Sequence, residues 1–455
     1  MSISKTNAVI GVVVAAMWSW LLLVDVAIIS DATLLGLIVA GFAFTAIVAI
    51  STLVFILVVR HTRKALARKH AKPIRQLVEF CAMWAGAELL VSWLVAVVWI
   101  GQDGSLDSVL PFASFTPFLM YTPLRFLARL VGFYGLSAII VTLIMAVAHQ
   151  KTRKLAVPIA VAAVALSGLM WLPYRQANGN ELSVQVMAET LAERVPATEA
   201  NVDLVVFPEY GLDDISDDNL STRLVAPADR EVYFLGSRQD PANGNAVYNN
   251  LIFGSSQKGL DQVVPKTRLI PGGEYLPFAV DYGLRAAGAD SILSDFEFSR
   301  AVQKGASAVP LYEISDGNVV GSEVCASIIA PNDYRNLTRR GATVLTNSAS
   351  LEIFRSPVFD IQQKGFGIFM ATANARPFLQ SANSSSAFVL DHNGSVLAST
   401  QPVGSAEATI QTNHATTPYT VLGEWIAYIG LALIVVRSFP WVKARAKRSS
   451  KNQKA

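Results

Sequence analysis

The chain has 455 residues, of which 52% are hydrophobic and 16% are charged, and its mean hydropathy is +0.40. Soluble globular chains usually carry about 25% charged residues, so this composition predicts a membrane protein. The net charge of +3 is small and gives no indication of a nucleic-acid partner.

Apolar runs long enough to cross a membrane occur six times, since a helical span needs about 20 apolar residues. Five fill the region 1–175 and the sixth lies near the C-terminus: 8–29, 33–60, 77–101, 130–148, 155–173 and 419–436. The first run lacks a small-residue cleavage site and is followed at once by another run, so we interpret it as a span. For the stretch 107–123, the sequence leaves open whether it also enters the membrane.

Lysine and arginine residues concentrate in three segments, which follow the second, fourth and sixth runs. These segments are "RHTRKALARKHAKPIRQ", "HQKTRK" and the tail 437–455. Basic loops stay in the cytoplasm, so six spans place both termini there. The polar segment 180–415 is then predicted to be extracytoplasmic and tethered to the membrane at both ends.

Asp25, Glu88 and Glu424 are acidic residues that lie within the predicted spans. An ionisable residue in a span is a functional candidate by default. For Asp25 and Glu88 we favour a structural interpretation, in which the carboxyl group faces the helix bundle and is hydrogen-bonded. Glu424 is expected at the membrane interface.

The segment 180–415 has the pattern of an α/β domain. The runs "LSVQVM", "VDLVVFP", "EVYFLGS", "NNLIFGS", "ATVLTNS" and "SSAFVLD" are typical of buried strands. "DHNGS" predicts a hairpin turn, whereas "LAERV" and "FDIQQKGFGIFMATANA" predict helices.

Three stretches of this domain carry candidate catalytic residues. "LVVFPEYG" ends an apolar strand on Glu209, where α/β folds place their sites. "VPKTRLIPGGEYLPF" holds Lys266 and Glu274 on a loop punctuated by proline and glycine, and "NVVGSEVCASI" places Cys325 after a short strand. Taken singly, each also fits a structural role: a solvated glutamate, a surface charge near a turn, or a buried apolar cysteine.

Taken together, these residues supply the parts of a nucleophilic site. A cysteine nucleophile needs a base to form the thiolate and donors for the oxyanion. Glu209 could accept the thiol proton, and Lys266 could stabilise the oxyanion together with a backbone N–H near Cys325. Cys81 lies in an apolar run and is not expected to pair with Cys325. None of the five histidines stands in a metal-ligand spacing, so no metal or cofactor is predicted.

The order PE…K…GEYLPF…C resembles the Glu-Lys-Cys triad of the nitrilase superfamily, and more narrowly the bacterial apolipoprotein N-acyltransferases. "VPKTRLIPGGEYLPF" is similar to that family's lysine–"PFGEY-P" segment, and "FLARLVGFYGLSAIIV" to the membrane segment before its catalytic domain. The resemblance covers nearly the whole chain. It implies a multi-pass α-helical bundle in a bacterial plasma membrane, carrying an extracytoplasmic nitrilase-like domain with an α-β-β-α sandwich.

The same resemblance implies a division of the chain and an activity. The N-terminal membrane domain would cover 1–175, the catalytic domain 180–415, a last span 419–436 and a basic cytoplasmic tail 437–455. The activity would transfer an acyl chain from a phospholipid donor to the α-amino group of an apolipoprotein acceptor's lipidated N-terminal cysteine.

The motif positions also imply a role for each residue of the site. Cys325 would carry the acyl chain as a thioester. Glu209 would be the base, Lys266 the oxyanion lysine and Glu274 a supporting acid.

The sequence departs from the family's pattern in several places. Ala326 and Ser327 stand where the family typically has Tyr-Glu, and "TNSASLEIF" stands where it usually has Asn-Asp and an aromatic residue. "MATANAR" keeps Ala371 and Arg376 but lacks the family's other arginine and its glutamate. The predicted spans are also fewer than is usual. These differences predict a divergent branch.

Two other functions fit the same residues. One is a membrane-tethered carbon–nitrogen hydrolase, in which water rather than an amine attacks the thioester. The other is an envelope scaffold whose nitrilase-like domain binds a partner without catalysis. The spans on both sides of the domain favour a lipid donor, which must be reached from the bilayer, and the presence of the whole triad argues against a scaffold.

Overall fold

The computed structural model describes thirteen stretches of the chain: 34–68, 72–100, 114–190, 193–195, 201–224, 226–227, 229–241, 247–270, 274–276, 278–294, 302–305, 309–352 and 357–438. The predicted first span with Asp25, the basic tail beyond 438 and residues 107–113 of the stretch 107–123 lie outside the described residues. Gly272 and Gly273 of the lysine loop also lie outside them.

Within the part of the chain that the structure describes, four long helices precede the α/β domain and overlap the second to fifth predicted spans. They are α1 Leu34–Ala67, α2 Pro73–Leu94 with a π-helical continuation Val95–Ile100, α3 Ala128–Ala148 and α4 Arg153–Trp171. Three helical segments of the described chain are long and apolar enough to cross a membrane: Pro73–Val97, Pro123–Ala148 and Arg153–Tyr174.

Helix α3 is interrupted at Gly132, whose φ of 73° no neighbouring residue shares. The break leaves the following amides in need of an acceptor, and Glu424 accepts hydrogen bonds from Phe133 (2.9 Å) and Tyr134 (3.2 Å). A Cβ at position 132 would lie 2.6 Å from Glu424 Oε2, so the site requires glycine. Glu424 is therefore buried inside the protein, and its place at the membrane interface stays a prediction.

Glu88 faces the helix bundle and is hydrogen-bonded, as predicted. Its Oε1 accepts hydrogen bonds from Trp84 Nε1 (2.7 Å) and Ser137 Oγ (2.5 Å). The carboxyl group joins α2 to α3.

The α/β domain contains a curled sheet of twelve strands: β1 Glu181–Glu189, β2 Leu204–Val206, β3 Tyr233–Pro241, β4 Val247–Ser255, β5 Gly259–Pro265, β6 Tyr312–Glu313, β7 Val319–Val324, β8 Val344–Ser350, β9 Phe378–Asn383, β10 Phe388–Leu390, β11 Val396–Ser399 and β12 Gly404–Gln411. The main path runs β5-β4-β3-β2-β1-β9-β8-β7-β6. Its centre is parallel, with β3, β2 and β1 on one side and β9, β8 and β7 on the other.

The sheet curls so that its two halves pack face to face. Phe253 of β4 and Tyr312 of β6 come from opposite ends of the strand order, yet their rings stack with centroids 5.0 Å apart. Between the halves lies a core of aliphatic side chains from both, including Val186 and Val320, each fully buried.

Three helices of nine or more residues lie among the described residues of this domain: α5 Phe278–Ala286, α6 Pro331–Arg339 and α7 Pro357–Asn374. Helices α6 and α7 share a buried apolar cluster with β8, β9 and the long helices. Phe369 of α7 contacts Phe133 of α3 edge to face, with ring centroids 4.9 Å apart. Arg129 of α3, fully buried, donates to the carbonyl of Thr372 at 3.0 Å. Helix α7 thus connects the sheet to the helical bundle.

The predicted last span, 419–436, forms two helices rather than one: α8 Pro418–Leu422 and α9 Trp425–Ser438. Gly423, with φ 60°, ends α8. Helix α9 packs against α2 with backbones in contact, because a Cβ on Gly430 would lie 1.6 Å from the carbonyl oxygen of Ala82. A Cβ on Gly86 would likewise lie 2.3 Å from the amide nitrogen of Leu431.

Most of the predicted elements of the α/β domain are present. Each of the six predicted strands contains a strand of the structure, "DHNGS" joins the antiparallel pair β10 and β11, and the long predicted helix is α7. The predicted helix "LAERV" is wrong over its described residues, 193–195, which are not helical.

Candidate active site

Lys266 is the centre of a buried ionic cluster. It directly follows β5 and is 2% exposed. Its Nζ lies 3.0 Å from Glu209 Oε1 and 2.8 Å from Glu274 Oε1. Burial by itself lowers the pKa of an ammonium group, but the two carboxylates raise the pKa of Lys266 well above its usual value. The lysine therefore stays charged at every physiological pH.

Glu209 follows β2 and is held in place by three other strands. Its Oε1 accepts a hydrogen bond from Asn249 Nδ2 of β4 (2.6 Å), and its Oε2 accepts one from the amide of Ser350 at the end of β8 (3.0 Å). The Asn383 side chain of β9 donates to the Glu209 carbonyl oxygen. Strands β2, β8 and β9 end at one edge of the parallel part of the sheet, where α/β folds collect functional groups, and β4, which is antiparallel to β3, begins there.

Cys325 directly follows β7 at the same edge and begins the short 3-10 helix Cys325–Ile329. Its φ of 49° is uncommon for a residue with a side chain and is typical of functional turns. Cys325 is 4% exposed. Its thiol donates a hydrogen bond to the carbonyl oxygen of Ser350, with an Sγ–O distance of 3.8 Å.

The Cys325 thiol is neutral in this resting arrangement. Burial raises the pKa of the thiol well above its usual value, the Glu209 carboxylate raises it further, and Lys266 lowers it. A neutral thiol next to a carboxylate and an ammonium group becomes a nucleophile when the carboxylate takes its proton.

Glu274 is the second carboxylate that contacts Lys266. Its Oε1 contacts Lys266, and its Oε2 accepts a hydrogen bond from the amide of Ile270 at 2.7 Å. The four predicted site residues therefore all lie in one buried cluster. In the sequence these residues are as many as 116 positions apart, which is the separation of Glu209 from Cys325.

Two residues of the cluster were missed by the sequence analysis. Asn249 Nδ2 lies 2.6 Å from Glu209 Oε1 and 3.4 Å from Glu274 Oε1, so one amide group contacts both carboxylates. Its signal was the polar pair in the middle of the apolar strand "VYNNLIFGS". Tyr210 has φ 64°, and the neighbouring Glu209 carboxylate is the main cause of a raised pKa of its phenol. That coupling places the phenol close to the cluster.

No group of three or more potential metal ligands from His, Cys, Asp and Glu occurs in the part of the chain that the structure describes.

Solved structures of the nitrilase superfamily match about half of the chain. An amidase from Nesterenkonia sp. has a TM-score of 0.37 and 13% identity, and the match covers 52% of this chain and 93% of that one. Nit3 of Saccharomyces cerevisiae also has a TM-score of 0.37 and 13% identity, over 52% of this chain and 91% of that one.

No protein-family model matches the chain, but curated proteins do. The apolipoprotein N-acyltransferase of Ralstonia nicotianae is 24% identical over 394 residues, which are 78% of this chain and 70% of that protein. The apolipoprotein N-acyltransferase of Vibrio vulnificus is 23% identical over 396 residues, covering 80% and 74%. The resemblance inferred from the motifs is confirmed, and these identities fit a divergent member.

Proposed function

We propose that this protein is an N-acyltransferase of lipoprotein biosynthesis. It moves an acyl chain from a membrane phospholipid, through a thioester on Cys325, to the α-amino group of the lipidated N-terminal cysteine of a lipoprotein. The observation that carries the proposal is the buried cluster of Glu209, Lys266 and Glu274 beside the Cys325 thiol. The curated relatives, named apolipoprotein N-acyltransferase, support the choice of substrates.

In the first half-reaction, Glu209 takes the proton from the Cys325 thiol. The thiolate attacks the ester carbonyl of the phospholipid, and the charge that develops on the carbonyl oxygen is stabilised by the Lys266 ammonium and a backbone N–H near Cys325. The C–O bond then breaks, and Glu209 returns the proton to the leaving lysophospholipid hydroxyl. The acyl chain remains on Cys325 as a thioester.

In the second half-reaction, the acceptor's amino group attacks the thioester carbonyl. Glu209 accepts a proton from the amine, the C–S bond breaks, and the thiol is restored by that proton. An amide is formed, and the site returns to its starting charge. Glu274 and Asn249 keep Lys266 and Glu209 in position throughout, through the contacts described above.

The surface of the helical bundle supports a membrane location. Helix α4 exposes large apolar side chains, with Val157 70% and Val161 63% exposed. Apolar surface of this extent is stable in contact with lipid rather than water. Together with the basic loops, it supports a multi-pass protein of the bacterial plasma membrane, with both termini cytoplasmic and the region 180–415 extracytoplasmic.

The function is tested with the purified protein and a phospholipid labelled in its acyl chain. We expect a protein-bound label that hydroxylamine releases, and its transfer to a synthetic diacylglyceryl-cysteine peptide. A thioester that forms but passes only to water would favour the carbon–nitrogen hydrolase instead. Absence of any protein-bound label would contradict both enzymatic mechanisms.

The topology is tested by reporter fusions. An alkaline phosphatase fused after Gly104 or Asn178 is expected to be active, since both positions are predicted to be extracytoplasmic. A cytoplasmic signal at Asn178 would reject the six-span arrangement and the proposed location of the site.

A further inference from the structure

A second ionic cluster adjoins the proposed active site. Arg268 lies two residues after Lys266, and its side chain forms a bidentate pair with Asp333 of α6. Arg268 Nε is 2.8 Å from Asp333 Oδ2, and one terminal nitrogen is 3.0 Å from Asp333 Oδ1. The pair is largely shielded, with side chains 10% and 19% exposed. A shielded bidentate pair is both directional and strong.

A buried carboxyl group faces this pair. Glu323 belongs to β7, two residues before Cys325, and is 6% exposed. Burial and the Asp333 carboxylate raise the pKa of Glu323 to about 8, although Arg268 lowers it. Ser327 and Arg340 also lower the pKa of Glu323.

Burial and the Glu323 carboxylate also raise the pKa of the neighbouring Tyr334 phenol. Because the pKa of Glu323 is raised to about 8, its carboxyl group is mostly protonated at neutral pH. The Arg268 guanidinium then neutralises only the Asp333 carboxylate.

The cluster joins the two chain segments that carry the reacting groups. Arg268 stands on the segment that follows β5 and holds Lys266. Glu323 and Asp333 stand on either side of Cys325, on β7 and α6. Any displacement of the lysine segment from the cysteine segment must therefore break the Arg268–Asp333 pair.

We propose that Arg268, Asp333 and Glu323 are positioning residues, which hold the segment carrying Lys266 against the segment carrying Cys325. The inference rests on the proposed role of Cys325 as nucleophile. The charge of Glu323 controls how firmly the two segments are held together. When Glu323 ionises, its carboxylate and that of Asp333 share the Arg268 guanidinium, so the Arg268–Asp333 pair is weakened. The segment carrying Lys266 is then held less firmly, and Lys266 stabilises the Cys325 thiolate less well.

The test measures the rate of alkylation of Cys325 by iodoacetamide between pH 6 and 10, in the full-length protein carrying Cys81→Ala so that one thiol reacts. This readout needs neither lipid nor acceptor. We expect the wild-type profile to flatten near pH 8, as Glu323 ionises. Glu323→Gln should remove that inflection and react about 3- to 10-fold faster than wild type at pH 9, which corresponds to a thiol pKa lower by a half to one unit.

The partners of Glu323 should move the inflection in opposite directions. Asp333→Asn removes the competing carboxylate, so Glu323 ionises at a lower pH. Arg268→Gln removes the cation, so Glu323 ionises at a higher pH and the alkylation rate near neutrality falls about 3- to 10-fold. A residue that only supports the fold would change the melting temperature without moving the inflection.

Thermal unfolding gives an independent check of whether ionisation of Glu323 lowers the stability of the folded protein. The pKa of Glu323 is raised in the folded protein from an ordinary carboxyl value, so its neutral form stabilises the fold at low pH and that stability is lost as pH rises through about 8. We expect the melting temperature of wild type to fall relative to Glu323→Gln between pH 5 and pH 9.

The matched control is Arg238→Gln. Arg238 forms a partly buried ion pair with Asp240 at 2.9 Å, with side chains 20% and 28% exposed, in the same domain. It should leave the alkylation profile of Cys325 unchanged.

Three results would decide against the inference or the function. A folded Arg268→Gln variant with the wild-type rate and inflection would overturn the positioning role. Should Arg268→Gln fail to fold, a wild-type inflection in Glu323→Gln would overturn it equally. A wild-type protein that shows these profiles but takes no acyl group from phospholipid would contradict the proposed acyl transfer and leave the cluster's role standing.

Discussion

Among the buried glutamates that the structure describes, one pair in the α/β domain can be compared with one pair in the helical bundle. Glu209 and Glu274 are 1% and 5% exposed, and Glu88 and Glu424 are 0% and 3% exposed. Burial therefore does not distinguish them. Their partners do, because the first pair shares the Lys266 ammonium, whereas the second pair accepts hydrogen bonds from neutral donors.

The difference shows how partners assign a role to a buried carboxyl group. A carboxylate paired with a lysine keeps its charge without water and can exchange a proton with a nearby thiol. A carboxyl group that accepts from an indole, a hydroxyl or freed backbone amides completes the hydrogen bonding of a helix pair. We therefore expect chemistry to depend on Glu209 and Glu274, and folding on Glu88 and Glu424.

The strongest test of this division removes the nucleophile. Cys325→Ala should abolish the hydroxylamine-sensitive acyl-enzyme, since the remaining thiol, Cys81, lies in α2 and not beside Glu209 and Lys266, while insertion into the membrane is unchanged. The matched control is Cys81→Ala, which should retain activity near wild type. An active Cys325→Ala protein would end the thioester mechanism.

Removing the shared cation should have the next largest effect. Lys266→Ala loses an oxyanion donor, which costs about 100- to 1,000-fold in rate. It also leaves Glu209 and Glu274 buried without a counter-ion, so we expect a loss of about 3–5 kcal/mol in the free energy of unfolding.

Two companion variants sharpen the test of Lys266. Lys266→Arg should not restore the rate of acyl-enzyme formation, because the wider guanidinium does not fit a site built for a point charge. Glu209→Ala should likewise lose acyl-enzyme formation, since the thiol then lacks its base. If Lys266→Ala acylates Cys325 at the wild-type rate, the lysine is only a structural charge.

Glu274 should matter less than Lys266, because it contacts the lysine and not the reacting thiol. Glu274→Gln weakens a hydrogen bond to a charged group, worth about 1.5–3 kcal/mol, so we expect about a 10- to 100-fold loss in the rate of acyl-enzyme formation. The measurement is single-turnover labelling beside Lys266→Ala. An equal loss in both variants would make Glu274 a direct participant.

The smallest effect on chemistry is expected from the bundle. Glu424→Ala leaves the amides of Phe133 and Tyr134 without their acceptor, which should lower the free energy of unfolding by about 1–3 kcal/mol. Its acylation rate per folded molecule should stay within about twofold of wild type, because the carboxyl group has no contact with the thiol. If Glu424→Ala lowers the acylation rate without lowering the free energy of unfolding, Glu424 also contributes to the chemistry and the two pairs of glutamates do not differ as expected.

Local sequence patterns predicted most elements of the α/β domain and singled out four residues that the structure brings together in one cluster. Strands such as β2 and β4 bury both faces, so their sequences are apolar runs that stand out from the surrounding turns. Glu209, Lys266, Glu274 and Cys325 were recognisable because each follows or interrupts such a run and because their order resembles a known triad.

Contacts between distant parts of the chain could not be read in the same way. Hydropathy makes 419–436 one continuous run, but Arg335 of α6 donates to the carbonyls of Tyr419 (3.0 Å) and Val421 (2.8 Å), and the chain turns at Gly423. The role of Glu424 likewise depends on a helix break at Gly132. Asn249 was overlooked because a polar residue within a strand has no local meaning until the carboxylates it contacts are known.

The contact between Gly86 and Gly430 sets the order in which the molecule can be assembled. These two glycines are separated by the whole α/β domain in sequence, yet their helices touch through the backbone. A ribosome therefore releases α2 long before α9 exists, so the surface of α2 around Gly86 stays uncovered until α9 has been made. Closure of this helix pair is consequently a late step of assembly, which follows synthesis of the whole α/β domain.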